Sequence, residues 1–117
     1  MTRPPSSRVS AGIAILALTL AGCATTGPAA PVATNHVDLP PSYLFSPSAI
    51  TVTAGTTVTW RNSDNFTHSV RLIEANRIVG IMHPGQSVTF IFTAPALYHY
   101  DCSFHPQNMK GTVTVTP

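Results

Sequence analysis

The chain has 117 residues, 44% of them hydrophobic and only 9% charged, with six Lys and Arg against four Asp and Glu for a formal net charge of +2. It carries no basic patch, aromatic stacking stripe or Gly-rich phosphate loop, which excludes nucleic acid and nucleotides as expected partners. The two cysteines and five histidines then become the residues most able to carry chemistry.

Residues 1–22 read as an export signal. Arg3 and Arg8 form a positive start, and Val9 to Ala21 form an apolar stretch of 13 residues, short of the roughly 20 that a membrane helix needs. The stretch ends in Leu20-Ala21-Gly22-Cys23, which resembles a bacterial lipobox and implies cleavage before Cys23 with lipid on its sulfur and new amino group. Localisation at the bacterial cell envelope follows, anchored to the membrane on the periplasmic face. Ala24, where Asp would signal inner-membrane retention, favours the outer membrane in a two-membrane host.

Lipidation changes two further readings. An exported chain with two cysteines suggests a disulfide, but a lipidated Cys23 leaves Cys102 as a lone thiol that a metal would protect. Loss of Arg3 and Arg8 leaves Arg61, Arg71, Arg77 and Lys110 against Asp38, Asp64, Glu74 and Asp101, a net charge of zero. Residues 23–36 are rich in Ala, Thr and Pro and read as a lipidated flexible tether. Residues 37–117 form one small domain, expected to be monomeric.

Within that domain the period is two. Ile50 and Val52 alternate with Thr51 and Thr53; Val58 and Trp60 alternate with Thr57, Thr59 and Arg61. Val88, Phe90 and Phe92 form another apolar row, and Val113 and Val115 a further one. Glu74 to His83 is the weakest stretch, with one short strand expected at Arg77 to Val79. Strands with one apolar face and turns about every 8–12 residues indicate an all-β, antiparallel sandwich.

The chemistry concentrates at Cys102, His105 and Met109, spaced C-x2-H-x3-M on one loop, with His68 opening a strand upstream. Two imidazoles, a thiolate and a weak axial thioether are the ligands of a blue-copper electron-transfer site. Tyr98, Tyr100 and Cys102 share one strand face, as do His68, Val70 and Leu72, so both Cys102 and His68 head inward-facing rows. His99 and Asp101 then face solvent. His36, His83 and His99 read as tether, loop and surface residues, and Met82 as edge packing. Asn62 and Asp64 are expected to shape the turn before His68 through local side-chain bonds.

With W-x-N-x-D-x3-H-x-V from Trp60, Pro84-Gly85-Gln86-Ser87-Val88-Thr89-Phe90 and Tyr98-x-Tyr100-x-Cys102-x2-His105 in view, the chain resembles the cupredoxins. The resemblance is to the small plastocyanin, amicyanin and pseudoazurin group and covers Val37 to Pro117. It implies a Greek-key sandwich of 7–8 short strands, one type I copper ion on His68, Cys102, His105 and Met109, and an electron port at the edge of His105. Phe104, Pro106, Met82 and Phe66 would form an apolar collar for docking, weakly dependent on ionic strength in a near-neutral domain. Two departures stand out. The His–Met gap is three residues, where relatives have two or four, and Ser69 stands where relatives often carry Asn, removing a side-chain brace between the two ligand loops.

The function expected is that of a one-electron carrier with redox partner proteins as donor and acceptor, and not of an enzyme. Copper capture or delivery at the envelope without redox turnover is the alternative, since the same four ligands serve it. Multicopper oxidation would need paired H-x-H ligands, which none of the histidines makes. Nucleophilic catalysis would need a thiolate free of metal. Zinc on Cys and His would make the site redox-silent.

Overall fold

The computed structural model describes residues 1–7, 12, 14, 22 and 30–117. Most of the signal segment, including Arg8, and the lipobox cysteine Cys23 lie outside the described residues. Among the described residues no helix is long and apolar enough to cross a membrane.

Nine strands are present among the described residues: β1 (Val32–Ala33), β2 (His36–Leu39), β3 (Ala49–Thr53), β4 (Thr56–Asn62), β5 (His68–Leu72), β6 (Arg77–Met82), β7 (Ser87–Phe92), β8 (Ala96–Asp101) and β9 (Lys110–Thr116). They form a six-stranded sheet in the order β1-β3-β9-β8-β5-β6 and a three-stranded sheet in the order β2-β4-β7. The strands are rich in Thr and Val, whose branched side chains suit a pleated surface buried on one face. The expected alternation holds where it matters: Ile50, Val58, Trp60, Val70 and Val113 are fully buried, while Thr57 and Arg61 are exposed.

Three features differ from the sequence expectation. The sandwich is mixed rather than wholly antiparallel, because β1 runs parallel to β3, β2 to β4 and β3 to β9. The weak stretch holds a six-residue strand, Arg77–Met82. A bulge at Val70/Arg71, where β5 pairs with β6, breaks the register there, so β6 does not keep a simple alternation. The tether expected over residues 23–36 is also shorter: Val32 and Ala33 pair with Ile50 and Thr51, and His36 pairs with Thr59. Edge backbone groups gain ladder partners there, which a free tether would leave to water.

The core joins both sheets through aromatic rings. Trp60 meets Tyr100 edge-on with centroids 5.4 Å apart, and Phe45 meets the same tyrosine at 4.8 Å. Neither the Trp60 indole N–H nor the Tyr100 hydroxyl has a partner in hydrogen-bonding geometry. Burial pushes the Tyr100 phenol up to about 12, with the nearby Trp60 N–H acting in the opposite direction. Tyr100 pairs with Gly111 across β8 and β9, and its ring lies over the glycine so closely that an added Cβ would overlap the phenol. This glycine is needed for space, not for an unusual backbone angle.

Strand direction gathers the candidate ligands at one end. β5 begins at His68, β8 ends just before Cys102, and β9 begins just after Met109. Pairing of Arg71 with Asp101 and Leu72 with Tyr100 brings the start of β5 beside the end of β8. Gly111→Ala is expected to cost about 1–3 kcal/mol through overpacking against Tyr100, seen as a lowered urea midpoint with an unchanged slope.

Candidate metal centre

His68, Cys102 and His105 converge, with one donor atom from each lying within 4.8 Å of the others. Cys102 Sγ stands 3.8 Å from Nδ1 of His68 and 3.8 Å from Nδ1 of His105. His68 and Cys102 are fully buried and His105 is half-buried. Cys102 is a free thiol. One soft sulfur and two imidazole nitrogens presented around a common point form a donor set suited to copper.

Backbone turns build the loop that carries two of these donors. His105 N–H donates to Cys102 O at 3.0 Å, and Met109 N–H donates to His105 O at 3.0 Å. Cys102 N–H then donates to Met109 O at 3.1 Å, which closes the loop on itself. The three-residue His–Met gap therefore still returns Met109 to the base of the loop, where it is fully buried. Met82 pairs with His68 across β5 and β6 and is equally buried. It is core rather than edge packing, and it forms no part of an exposed collar.

His68 is fixed from behind. Its Nε2 lies 2.8 Å from Oδ2 of Asp64, which is only 5% exposed. The hydrogen bond to His68 holds the Asp64 carboxyl below its ordinary value, against the upward push of burial. A carboxylate on the far nitrogen leaves Nδ1 as the lone-pair donor facing the thiol, which fixes both ring orientation and tautomer. Asn62 shapes the turn as expected, accepting from Asp64 N–H at 2.9 Å. It also donates to Phe66 O and Met82 O, at 2.7 and 3.0 Å. The D-x3-H spacing thus brings Asp64 onto the histidine as well as into the turn.

Ser69 keeps the brace that loss of Asn was expected to remove. Its backbone N–H donates to Cys102 Sγ at 3.4 Å. Its hydroxyl oxygen accepts from Ser103 N–H at 2.8 Å, tying the His68 strand to the Cys102 loop. Asp101 also departs from expectation: it faces outward but is only 4% exposed. Arg71 covers it with two bonds, Nε to Oδ1 at 2.8 Å and Nη2 to Oδ2 at 2.7 Å. This bidentate pair clamps β5 to β8 one residue before Cys102.

Tyr43 is the residue that sequence reasoning missed. Its ring meets His105 edge-on at 4.6 Å and His68 at 6.0 Å, and stacks on Phe66 at 5.6 Å. Ser42 and Tyr43 both have positive φ, 117° and 56°, a backbone state that costs of order 1–3 kcal/mol for such residues. No periodicity marks this turn, so only the folded chain reveals it. Phe66, stacked on Tyr43, is 55% exposed, and Phe104, the neighbour of the half-buried His105 in the chain, is 51% exposed; Pro106 is exposed too. His36, His83 and His99 stay outside the cluster, His83 near Thr67 and His99 paired with Glu74.

Comparison with known proteins agrees with this geometry. Residues 35–116 match the family model of copper binding proteins, plastocyanin/azurin family. Plastocyanin of Scenedesmus fuscus is 36% identical over 86 residues, covering 63% of this chain and 88% of that protein. Amicyanin-alpha of Methylorubrum extorquens is 32% identical over 76 residues, covering 61% of this chain and 63% of that protein. The solved structure of a novel purple cupredoxin from Nitrosopumilus maritimus superposes with a TM-score of 0.62 at 29% identity, covering 69% of this chain and 98% of that one. A Cu(I) amicyanin variant superposes at 0.64 with 29% identity, covering 69% and 80%.

Asp64→Asn tests the support of His68. Affinity for copper or zinc is expected to fall about 10–100-fold, read by chelator competition. In the metal-free protein the stabilisation from the depressed Asp64 carboxyl is complete above its unfolded value of 3.8 and is lost as pH falls through the folded one. The stability gap between wild type and variant should therefore hold from pH 7 down to about pH 4 and shrink below that in urea titrations.

Proposed function

The chain belongs to the plastocyanin/azurin family of copper-binding proteins, whose plastocyanin and amicyanin members are electron carriers and not enzymes, and we propose that it shuttles single electrons at the bacterial cell envelope. The observation that carries this reading is the convergence of His68, Cys102 and His105 within 4.8 Å. One copper ion held there supplies a Cu(I)/Cu(II) couple, for which thiolate and imidazole together suit both states. Met109, buried at the base of the same loop, is the fourth residue proposed to hold the ion.

The protein's own part is to hold these groups still. Asp64 fixes the His68 ring, Ser69 N–H faces the sulfur, and the closed 102–109 loop sets His105. A site already braced in one geometry has little to rearrange when an electron arrives. The same bracing weighs against copper delivery, which needs a site that opens.

His105 is the proposed electron port, framed by Phe66, Phe104 and Pro106, with redox partner proteins docking on this apolar rim. Attachment to the membrane through a lipid on Cys23 is supported by the lipobox spacing. It would keep the protein on the periplasmic face, on the outer membrane in a two-membrane host. A monomer suits a carrier that must present His105 to successive partners.

Copper(II) loading should give an intense visible thiolate-to-copper band and a reversible one-electron couple. Cys102→Ser should abolish the colour, and Met109→Gln should keep the colour but lower the midpoint potential; a colourless protein that holds only zinc overturns the carrier reading. For the anchor, mass spectrometry of the membrane fraction should find acylated Cys23, and Cys23→Ser should move the protein to the soluble fraction.

A further inference from the structure

The side chain of Ser69 has more hydrogen-bonding capacity than bracing the loop requires. Ser69 is fully buried, so its hydroxyl hydrogen cannot be left to water. Among the described residues its Oγ has three polar neighbours: Ser103 N at 2.8 Å, Ser103 Oγ at 2.7 Å and Cys102 Sγ at 3.9 Å. The backbone amide of Ser103 can only donate, so it takes one lone pair of Ser69 Oγ. The hydroxyl hydrogen of Ser69 then has two acceptors, the Ser103 hydroxyl and the Cys102 sulfur.

Charge on the sulfur decides between them. A hydrogen bond to an ionised acceptor is roughly twice as strong as one between neutral groups. Ser103 is half-buried, and its hydroxyl can donate to Ser69 Oγ while water fills its remaining capacity. In that arrangement Ser69 accepts twice and donates once, to the thiolate. Electron density on the sulfur is greater with Cu(I) than with Cu(II), so donation stabilises the reduced state more.

We propose that the Ser69 hydroxyl is a second hydrogen-bond donor to the Cys102 thiolate, in preference to the Ser103 hydroxyl, and that it raises the reduction potential of the site. Ser69 is a positioning residue: it touches a ligand of the metal, not the metal. This assignment rests on the copper reading of the site.

The test is the midpoint potential and the Cu–S vibrational bands of the copper-loaded full chain, in H2O and in D2O. Ser69→Ala should lower the equilibrium constant for reduction about three- to tenfold, roughly 30–60 mV at 59 mV per decade for one electron, and diminish the deuterium shift of the Cu–S bands. Ser69→Thr keeps the hydroxyl and should retain both. Ser103→Ala removes the competing acceptor, so its potential should hold, whereas a rise places the wild-type Ser69 hydroxyl on Ser103 and overturns the assignment. An unchanged midpoint in Ser69→Ala, or a lowered midpoint with an undiminished deuterium shift, overturns the assignment and leaves the carrier reading standing. Should Ser69→Ala take up no copper, Ser103→Ala decides alone, and a rise in its potential or a gain in its deuterium shift overturns the proposal. A wild-type chain without any reversible copper couple overturns the carrier reading itself.

Discussion

The Cys102 sulfur is fully buried, and a buried thiolate needs donors or a metal around it to offset the loss of water. This constraint orders the whole end of the sandwich. The sulfur projects from the end of β8 toward the start of β5, so the groups that serve it come from β5 and from the 102–109 loop. The Arg71–Asp101 pair holds β5 against β8, and Ser69 and His68 reach the sulfur from the strand so positioned. The bidentate pair, formally on the outer face, therefore bears on the geometry of the inner one.

A second consequence concerns loop length. Three residues between His105 and Met109 match neither common spacing, yet the loop closes through main-chain bonds. His105 O accepts from both Asn108 and Met109, and Met109 O accepts from Cys102 N–H. A closed turn fixes where the chain re-enters β9 with little dependence on side-chain identity. Spacing differences in such a loop are absorbed by its exposed members, Pro106 to Asn108, which have no partners in the core to displace.

The histidine rings are held in two different ways. Asp64 secures His68 by a charge-assisted hydrogen bond in a buried setting, whereas His105 is held by Tyr43 through ring contact at the surface. The first is directional and fixes a tautomer; the second restricts the ring while leaving it half-buried. The division suits a site in which one imidazole is sealed and the other meets a partner.

Much of this was legible in the chain itself. Alternation of Thr and Val marks the strands because a sheet with one buried face has a strict period of two, and that parity alone places Cys102 and His68 inside. Spacing kept His105 and Met109 on one short loop with Cys102, and the main-chain bonds of that loop bring Met109 back to its base. What the sequence left open depends on contacts between distant segments. Tyr43 on His105, Arg71 over Asp101, Ser69 against Ser103 and β1 against β3 join positions whose separation no local pattern encodes. Local periodicity determined which face each residue takes; only the packing of the two sheets decided which faces meet, and so which side chains surround the sulfur.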